Sequence, residues 1–132
     1  PALFIKADLS RASFVDVALD DVAIENANMR RLSVSDADLS GATFTNVRAD
    51  AATSDDASLQ RARIINASLS GAVFDDCDLS QATLSNIDLR GARITDVDLS
   101  GVVIEDANIT GLVIDGVLIE DLLHARTTEK KR

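Results

Sequence analysis

The chain has 132 residues, 46% of them hydrophobic, and a formal net charge of −9 at pH 7. This length allows one domain with a buried core. Direct binding to nucleic acid or to an anionic membrane needs a basic surface, so the negative net charge disfavours both functions. We therefore expect one folded domain that contacts neither nucleic acid nor membrane and whose protein partners carry positive charge.

The apolar content of the sequence and its cysteine count bear on the location of the protein and on disulfide and metal sites. No run of 18 apolar residues is present, and the first residues, PALFIKADLS, lack the apolar region of a secretory signal, so we expect a cytoplasmic protein. Cys77 is the only cysteine, which excludes an intrachain disulfide and a cysteine-based metal site. We expect a buried thiol and no cofactor.

A five-residue period runs from the start of the chain almost to its end. Large apolar residues recur at every fifth position, and a second apolar series lies two residues before each of them, from Ala7 to Val117. Apolar residues spaced by two and five do not form the stripe of a helix, and an odd period is incompatible with a long flat strand. The chain must therefore turn every few residues.

The series of large apolar residues is interrupted by two small residues, Ala49 and Ser54. The second series keeps its phase there, through Val47, Ala52 and Ala57. No residue is inserted or deleted there, so the period continues with less side-chain volume. We predict a thin core or a locally altered coil between Phe44 and Leu59, with Met29 and Phe74 as the fillers, because methionine adapts to irregular gaps.

The repeating unit resembles that of the pentapeptide-repeat proteins, which carry tandem A-[DN]-L-x-x units. The best matches are ADLSR at 7–11, ADLSG at 37–41, CDLSQ at 77–81, IDLRG at 87–91 and VDLSG at 97–101. The resemblance covers roughly residues 2 to 122. It implies an all-β fold, a right-handed quadrilateral β-helix of about six coils with four pentapeptides per coil, over residues 1–122. Residues 123–132 would form a C-terminal cap and polar tail.

A second periodicity supports twenty residues per coil. Two residues after every second centre, Asp and Asn alternate strictly. In a coil of twenty residues, the aspartates stack at one corner and the asparagines stack at the diagonal corner. Successive members of each stack are about 4.8 Å apart along the axis of the rod. We call these the aspartate column (Asp16, Asp36, Asp56, Asp76, Asp96) and the asparagine column (Asn26, Asn46, Asn66, Asn86).

Further acids flank the aspartate column and together with it form what we call the acidic edge. The flanking residues are Asp55, Asp75 and Asp115 on one side and Asp38, Asp78 and Asp98 on the other. Carboxylates at this spacing repel one another by somewhat under about 1 kcal/mol per pair, so their clustering needs a cause. One cause for the aspartate column is that aspartate side chains accept hydrogen bonds from nearby backbone amides and tolerate turn conformations. This cause does not explain why asparagine is absent from the column, and it does not account for Asp38, Asp78 and Asp98.

Binding to a basic protein is the alternative cause, and it makes the acidic edge the candidate partner-binding site. The family resemblance implies a specific version, since quinolone-resistance members resemble B-form DNA and bind type II topoisomerases such as DNA gyrase. This chain departs from them in being short, in having no evident loop insertions and in lacking the aromatic residues of their dimer contact. Calcium is disfavoured because a straight column does not converge its oxygens on one point.

Two regions outside the acidic edge complete the prediction. Basic residues, Arg11, Arg30, Arg31, Arg48 and Arg90, are interspersed with Asp8, Asp50 and Asp88, which favours a solvated mixed face. Near the C-terminus, Asp115-Gly116 indicates a turn and residues 119–126 a short helix over the last coil.

Apolar outward positions near the ends of the rod are Val103, Val113 and Leu118 at one end and Leu3 and Ile5 at the other. They suggest contact between two copies through an end, with Val103, Val113 and Leu118 as the candidate residues, and the alternative is simple burial under the cap. A purely structural self-associating rod is an alternative to a protein-binding function. We find no catalytic constellation. His124 is the one histidine and falls in the cap, so we expect a protein that is not an enzyme.

Overall fold

The structure, a computed structural model, describes residues 2–123. Within them, short strands form two sheets on opposite sides of a rod. The first sheet contains β1 (Leu3–Ile5), β3 (Ala23–Glu25), β5 (Thr43–Arg48), β7 (Arg63–Ser68), β9 (Thr83–Asp88) and β11 (Val103–Asn108). The second contains β2 (Ser13–Val15), β4 (Ser33–Ser35), β6 (Thr53–Asp55), β8 (Val73–Asp75), β10 (Arg93–Thr95), β12 (Val113–Ile114) and β13 (Val117–Leu118).

The parallel pairs all have the same register, an offset of twenty residues. Phe4 pairs with Ile24 in the first sheet, and Phe14 pairs with Val34 in the second. Single bridges with the same offset, such as Asp8 with Asn28 and Ala18 with Asp38, occupy the two remaining faces. The predicted coil of twenty residues is confirmed, and the chain is a right-handed quadrilateral β-helix of about six coils.

Each corner of the rod is formed by one residue with a positive φ angle. In the first coil these residues are Lys6, Arg11, Asp16 and Asp21, with φ between 55° and 61°. Aspartate, asparagine and glycine tolerate this left-handed conformation best, which explains why they dominate the corners of later coils. The five-residue period is therefore one strand or bridge followed by one corner.

The core consists of the two apolar series, as predicted. Ile24 and Leu89 are fully buried, and among the described residues no polar or charged side chain is buried. Cys77 is buried as expected, its thiol donates to the carbonyl of Ser54 at 3.3 Å, and burial raises its pKa.

The predicted thin core is confirmed. An apolar cavity of about 50 Å³ lies beside Ala49 and Ser54 in the third coil. Met29, one coil before, and Phe74, one coil after, line the cavity but leave it unfilled, so their predicted role as fillers is only partly met.

At the C-terminal end, the chain folds back over the edge of the second sheet. Asp115 and Gly116 form the predicted turn, with φ of 47° and 79°, and β13 folds back antiparallel onto β12. Residues 119–123 are helical, and Glu120 accepts a hydrogen bond from the Gly111 amide at 3.1 Å. The rest of the predicted helix, with His124 and the tail, lies outside the described residues.

The candidate functional site, an acidic edge

The aspartate column lies at one corner of the rod, with one carboxylate per coil. Its five members have φ between 51° and 56° and are exposed. Among residues 2–123, no backbone amide donates to these five carboxylates. The column therefore meets the conformational demand of the corner without using its carboxylates to hold the backbone.

The asparagine column at the diagonal corner has the same backbone and different side-chain chemistry. Its members have φ of 54° or 55°. Asn46 Nδ2 donates to Asn26 Oδ1 at 3.1 Å, and Asn86 Nδ2 donates to Asn66 Oδ1 at 2.6 Å. Asparagine thus forms this corner and adds bonds between coils, which carboxylates without a proton cannot make.

Within the aspartate column, Asp56 lies between the carboxyl groups of Asp36 and Asp76. A hydrogen bond with the carboxyl group of Asp36, followed by the negative charge of Asp36, raises the pKa of Asp56. The charges of Asp76 and Asp55 act in the same direction. A raised carboxyl pKa means that the folded chain resists ionisation at this position.

On one flank, the side chains of Asp38, Asp78 and Asp98 accept hydrogen bonds that close backbone turns. The prediction that turn formation does not account for these three residues is therefore wrong. The Oδ1 atom of each accepts the amide of the residue two positions later, at 3.0 Å from Ser40, 2.8 Å from Ser80 and 2.9 Å from Ser100. Hydrogen bonds from the hydroxyl and amide of the serine lower the pKa of Asp38 and Asp98.

The same bond recurs on the opposite face, where Asp8, Asn28, Asp88 and Asn108 accept an amide two residues on. This is the Asx-turn pattern, and the D-L-S and N-x-x spacing before a corner is the sequence signal that could have identified it.

The other flank has a different arrangement. Asp55 and Asp75 are register partners on neighbouring strands, and both are exposed. The Oδ1 atom of Asp115 accepts the Asp96 amide at 2.9 Å, which supplies the bond that a further coil would otherwise provide.

The column and one flank share a shallow groove on the surface of the rod. Asp36, Asp56 and Asp76 lie on one side of it, and Asp38 and Asp78 lie on the other. The structure therefore brings together the predicted residues in the middle coils, on a continuous negative surface.

The basic residues lie around the neighbouring face and its corner, mainly in the first coils. Arg11, Arg30 and Arg31 line one groove with Ser10 and Asn28. Arg30 approaches Asp50 at 3.8 Å, and further along the rod Arg90 and Asp88 form an ion pair at 2.7 Å. These contacts agree with a mixed face.

The residues predicted for self-association have different surroundings. Val103 is 44% exposed, whereas Val113 and Leu118 are half-buried and pair with each other in the β12–β13 hairpin. Within residues 2–123, no cluster of side chains could hold a metal ion, and no helix is long and apolar enough to cross a bilayer.

Solved structures with the same architecture share little sequence with this chain. HetL, a pentapeptide repeat protein from the cyanobacterium Nostoc involved in heterocyst differentiation regulation, is 18% identical, with 88% of this chain and 89% of that chain covered and a TM-score of 0.38. The pentapeptide repeat protein Rfr23 from the cyanobacterium Cyanothece is 19% identical, with 86% and 85% covered and a TM-score of 0.44.

QnrB1, a plasmid-mediated fluoroquinolone resistance protein, is 14% identical, with 96% of both chains covered and a TM-score of 0.40. Comparison with curated protein sequences finds no match. The model of the pentapeptide repeat family matches residues 35–76, 57–96 and 72–111, with eight copies of the repeat, and the chain therefore belongs to the pentapeptide repeat family.

Proposed function

We propose that this chain is a non-enzymatic protein-binding scaffold that presents its acidic edge to a basic protein. The observation that carries the proposal is the contrast between the two diagonal columns. Both have the same left-handed corner conformation, yet the asparagine column gains hydrogen bonds between coils, whereas the aspartate column places Asp56 beside carboxyl groups that raise its pKa. A corner with only a structural role would be better served by asparagine.

The geometry of the acidic edge suits an extended partner surface. Eleven carboxylates over about 24 Å correspond to roughly one charge per 2.2 Å of rod, if the coils are spaced as in ordinary β-sheets. Each exposed ion pair formed across such an edge contributes little by itself, so binding depends on many pairs and weakens as salt rises.

The test is capture with a matched variant. The parent chain and a variant with asparagine at positions 16, 36, 56, 76 and 96 would be immobilised and exposed to cell extract at low salt. A basic protein retained by the parent and not by the variant, with a Kd that rises with salt, supports the proposal. Equal capture by both chains contradicts it, provided that circular dichroism shows both to be folded.

A specific candidate partner is a type II topoisomerase such as DNA gyrase. Its support is the charge density, because duplex DNA carries one charge per about 1.7 Å of axis, close to the value for the acidic edge. A chain of this kind would occupy the DNA-binding surface of the enzyme as a DNA mimic.

A supercoiling assay with and without a quinolone tests this candidate with the same two chains. Inhibition or drug protection by the parent, lost in the asparagine variant, supports the DNA-mimic function. No effect of the parent at micromolar concentration rules out gyrase and leaves the scaffold with another basic partner.

A further inference from the structure

The cavity in the third coil is lined by the largest side chains of the core. Phe14, Phe44 and Phe74, three of the four phenylalanines of the chain, line it together with Met29, the only methionine. These side chains surround the small residues of the third coil, and a space of about 50 Å³ stays open between them.

Ser54 is the one polar residue among those that line the cavity. It occupies an inward position of β6, between its register partners Val34 and Phe74. Its carbonyl accepts the Cys77 thiol, whereas within residues 2–123 its hydroxyl makes no hydrogen bond and its side-chain oxygen retains accessible surface. The cavity therefore offers a single hydroxyl group, able to donate and to accept, on an otherwise apolar wall.

The strand β6 is the least closed part of this wall. Ala52 and Ser54 are half-buried, whereas Val34 and Phe74, the register partners of Ser54 in the neighbouring coils, are buried. A strand with few buried contacts opens locally at a lower free energy than the rest of the fold. Local opening of β6 thus gives a small molecule a route to the cavity.

The size and the lining of the cavity select the ligand. An apolar cavity of about 150 Å³ binds benzene, so a space of about 50 Å³ admits a molecule of roughly two or three heavy atoms. An ion would lose its hydration without compensation, because no charged residue of the described chain lines the cavity. A water molecule needs about two to four polar partners, and the side chains of the wall supply the Ser54 hydroxyl alone.

We propose that this cavity binds small uncharged molecules that are apolar except for one hydroxyl group, that is, short-chain alcohols such as methanol and ethanol. The alkyl group contacts Met29 and the phenyl rings, and the alcohol oxygen forms a hydrogen bond with Ser54. A hydroxyl without a partner in an apolar site costs free energy, and the bound alcohol removes this cost.

The small number of atoms limits the affinity. The free energy that a ligand gains per heavy atom has an upper bound, so we expect a Kd for ethanol of about 1 mM or weaker. Xenon fits apolar cavities and has no hydrogen-bonding atom, which makes it the matched apolar probe.

The methyl group of Met29 provides one unambiguous NMR signal in the cavity wall, because the chain contains a single methionine. The full chain, labelled with carbon-13 at this methyl group and at valine methyl groups, would be titrated with ethanol and, separately, with xenon. We expect saturable shifts of the Met29 signal with both ligands. Exposed methyl groups such as those of Val15 should instead shift in proportion to the ethanol concentration.

Three variants separate the hydroxyl from the space. S54A keeps the cavity and removes its hydroxyl, so the Kd for ethanol should rise about three- to tenfold while the Kd for xenon stays within about twofold. A49V places two methyl groups in the space and should weaken both ligands at least about tenfold. T53A changes an exposed residue of the same strand and should leave both Kd values unchanged.

The absence of a saturable Met29 shift with either ligand overturns the proposal, and so does equal ethanol binding by the parent and A49V. Xenon binding without ethanol binding, or ethanol binding that S54A leaves unchanged, also overturns it, since either result describes an apolar space that does not use the hydroxyl. The spectrum of each variant shows whether it is folded, so a loss of binding is distinguishable from unfolding.

Discussion

Asp36 and Asp56 occupy the same corner of neighbouring coils, and the Asp36 carboxyl group, first as a hydrogen-bonding neighbour and second as a negative charge, raises the pKa of Asp56. The folded chain therefore holds the proton of Asp56 more tightly than the unfolded chain does. Ionisation of this residue at neutral pH opposes folding.

We expect D56N to increase the free energy of unfolding at pH 7. Because the pKa is raised in the folded state, the stability associated with the protonated carboxyl is complete below about pH 3.9 and lost as pH rises through the raised pKa. The advantage of D56N should therefore be small in acid and grow toward neutral pH, as measured by urea unfolding at several pH values. D20N, an exposed change of equal charge outside the column, is the control, and equal effects of the two substitutions would contradict the prediction.

The diagonal corner provides the converse experiment. N46D replaces the amide that donates to Asn26 Oδ1 with a carboxylate, and we expect a loss of about 0.5–1 kcal/mol in the free energy of unfolding at pH 7. N46S, which removes the bond without adding charge, separates the lost hydrogen bond from the new charge. A variant N46D as stable as the parent would remove the basis for treating the two columns as chemically distinct.

Turn closure by Asp38 predicts a difference between two substitutions. D38A removes the acceptor of the Ser40 amide and should cost about 0.5–1.5 kcal/mol of unfolding free energy at pH 7. D38N keeps an oxygen there, as Asn28 does for the Arg30 amide at 3.1 Å, and should be closer to the parent.

The pH dependence of the Asp38 effect has the opposite sign to that of Asp56. The hydrogen bonds from Ser40 lower the pKa of Asp38, so its contribution is present above about pH 3.9 and is lost as pH falls through the lowered pKa. The deficit of D38A should accordingly shrink in acid. Equal stability of D38A and D38N at pH 7 would show that the side-chain oxygen does not support the turn.

The cavity in the third coil predicts a stabilising substitution. A49V adds two methyl groups beside a space of about 50 Å³, and we expect a gain of roughly 1 kcal/mol in unfolding free energy. Ala62 is fully buried and does not line the cavity, so A62V should overpack the core and lose about 1–3 kcal/mol. Thermal and urea unfolding of both variants would check the prediction, and destabilisation by A49V would contradict it.

The coil was predicted from the resemblance to pentapeptide-repeat proteins, its twenty-residue register also from the alternation of aspartate and asparagine, and the thin core from the five-residue period. These predictions were possible because every coil repeats the same backbone, so Phe4 and Ile24 must stack if one coil contains twenty residues. The turn at Asp115-Gly116 was also predicted, but the antiparallel return of β13 onto β12 was not.

The roles of the individual carboxylates were less predictable. Asp36 and Asp38 are two positions apart and have the same chemistry, but among residues 2–123 a backbone amide donates to Asp38 and none donates to the Asp36 side chain. The raised pKa of Asp56 depends on the distance between side chains in neighbouring coils, which the period does not determine.

The uniform offset of twenty residues means that each coil is held only by the coils directly before and after it. The rod is therefore held together by the contacts between successive coils, and it opens first where these contacts are weakest. The cavity makes the contacts weakest at the third coil, around β6. Under tension along its axis, or during local opening in native conditions, the protein would separate there into two shorter stacks, and the amide protons of Thr53–Asp55 would exchange before those of β8 and β10.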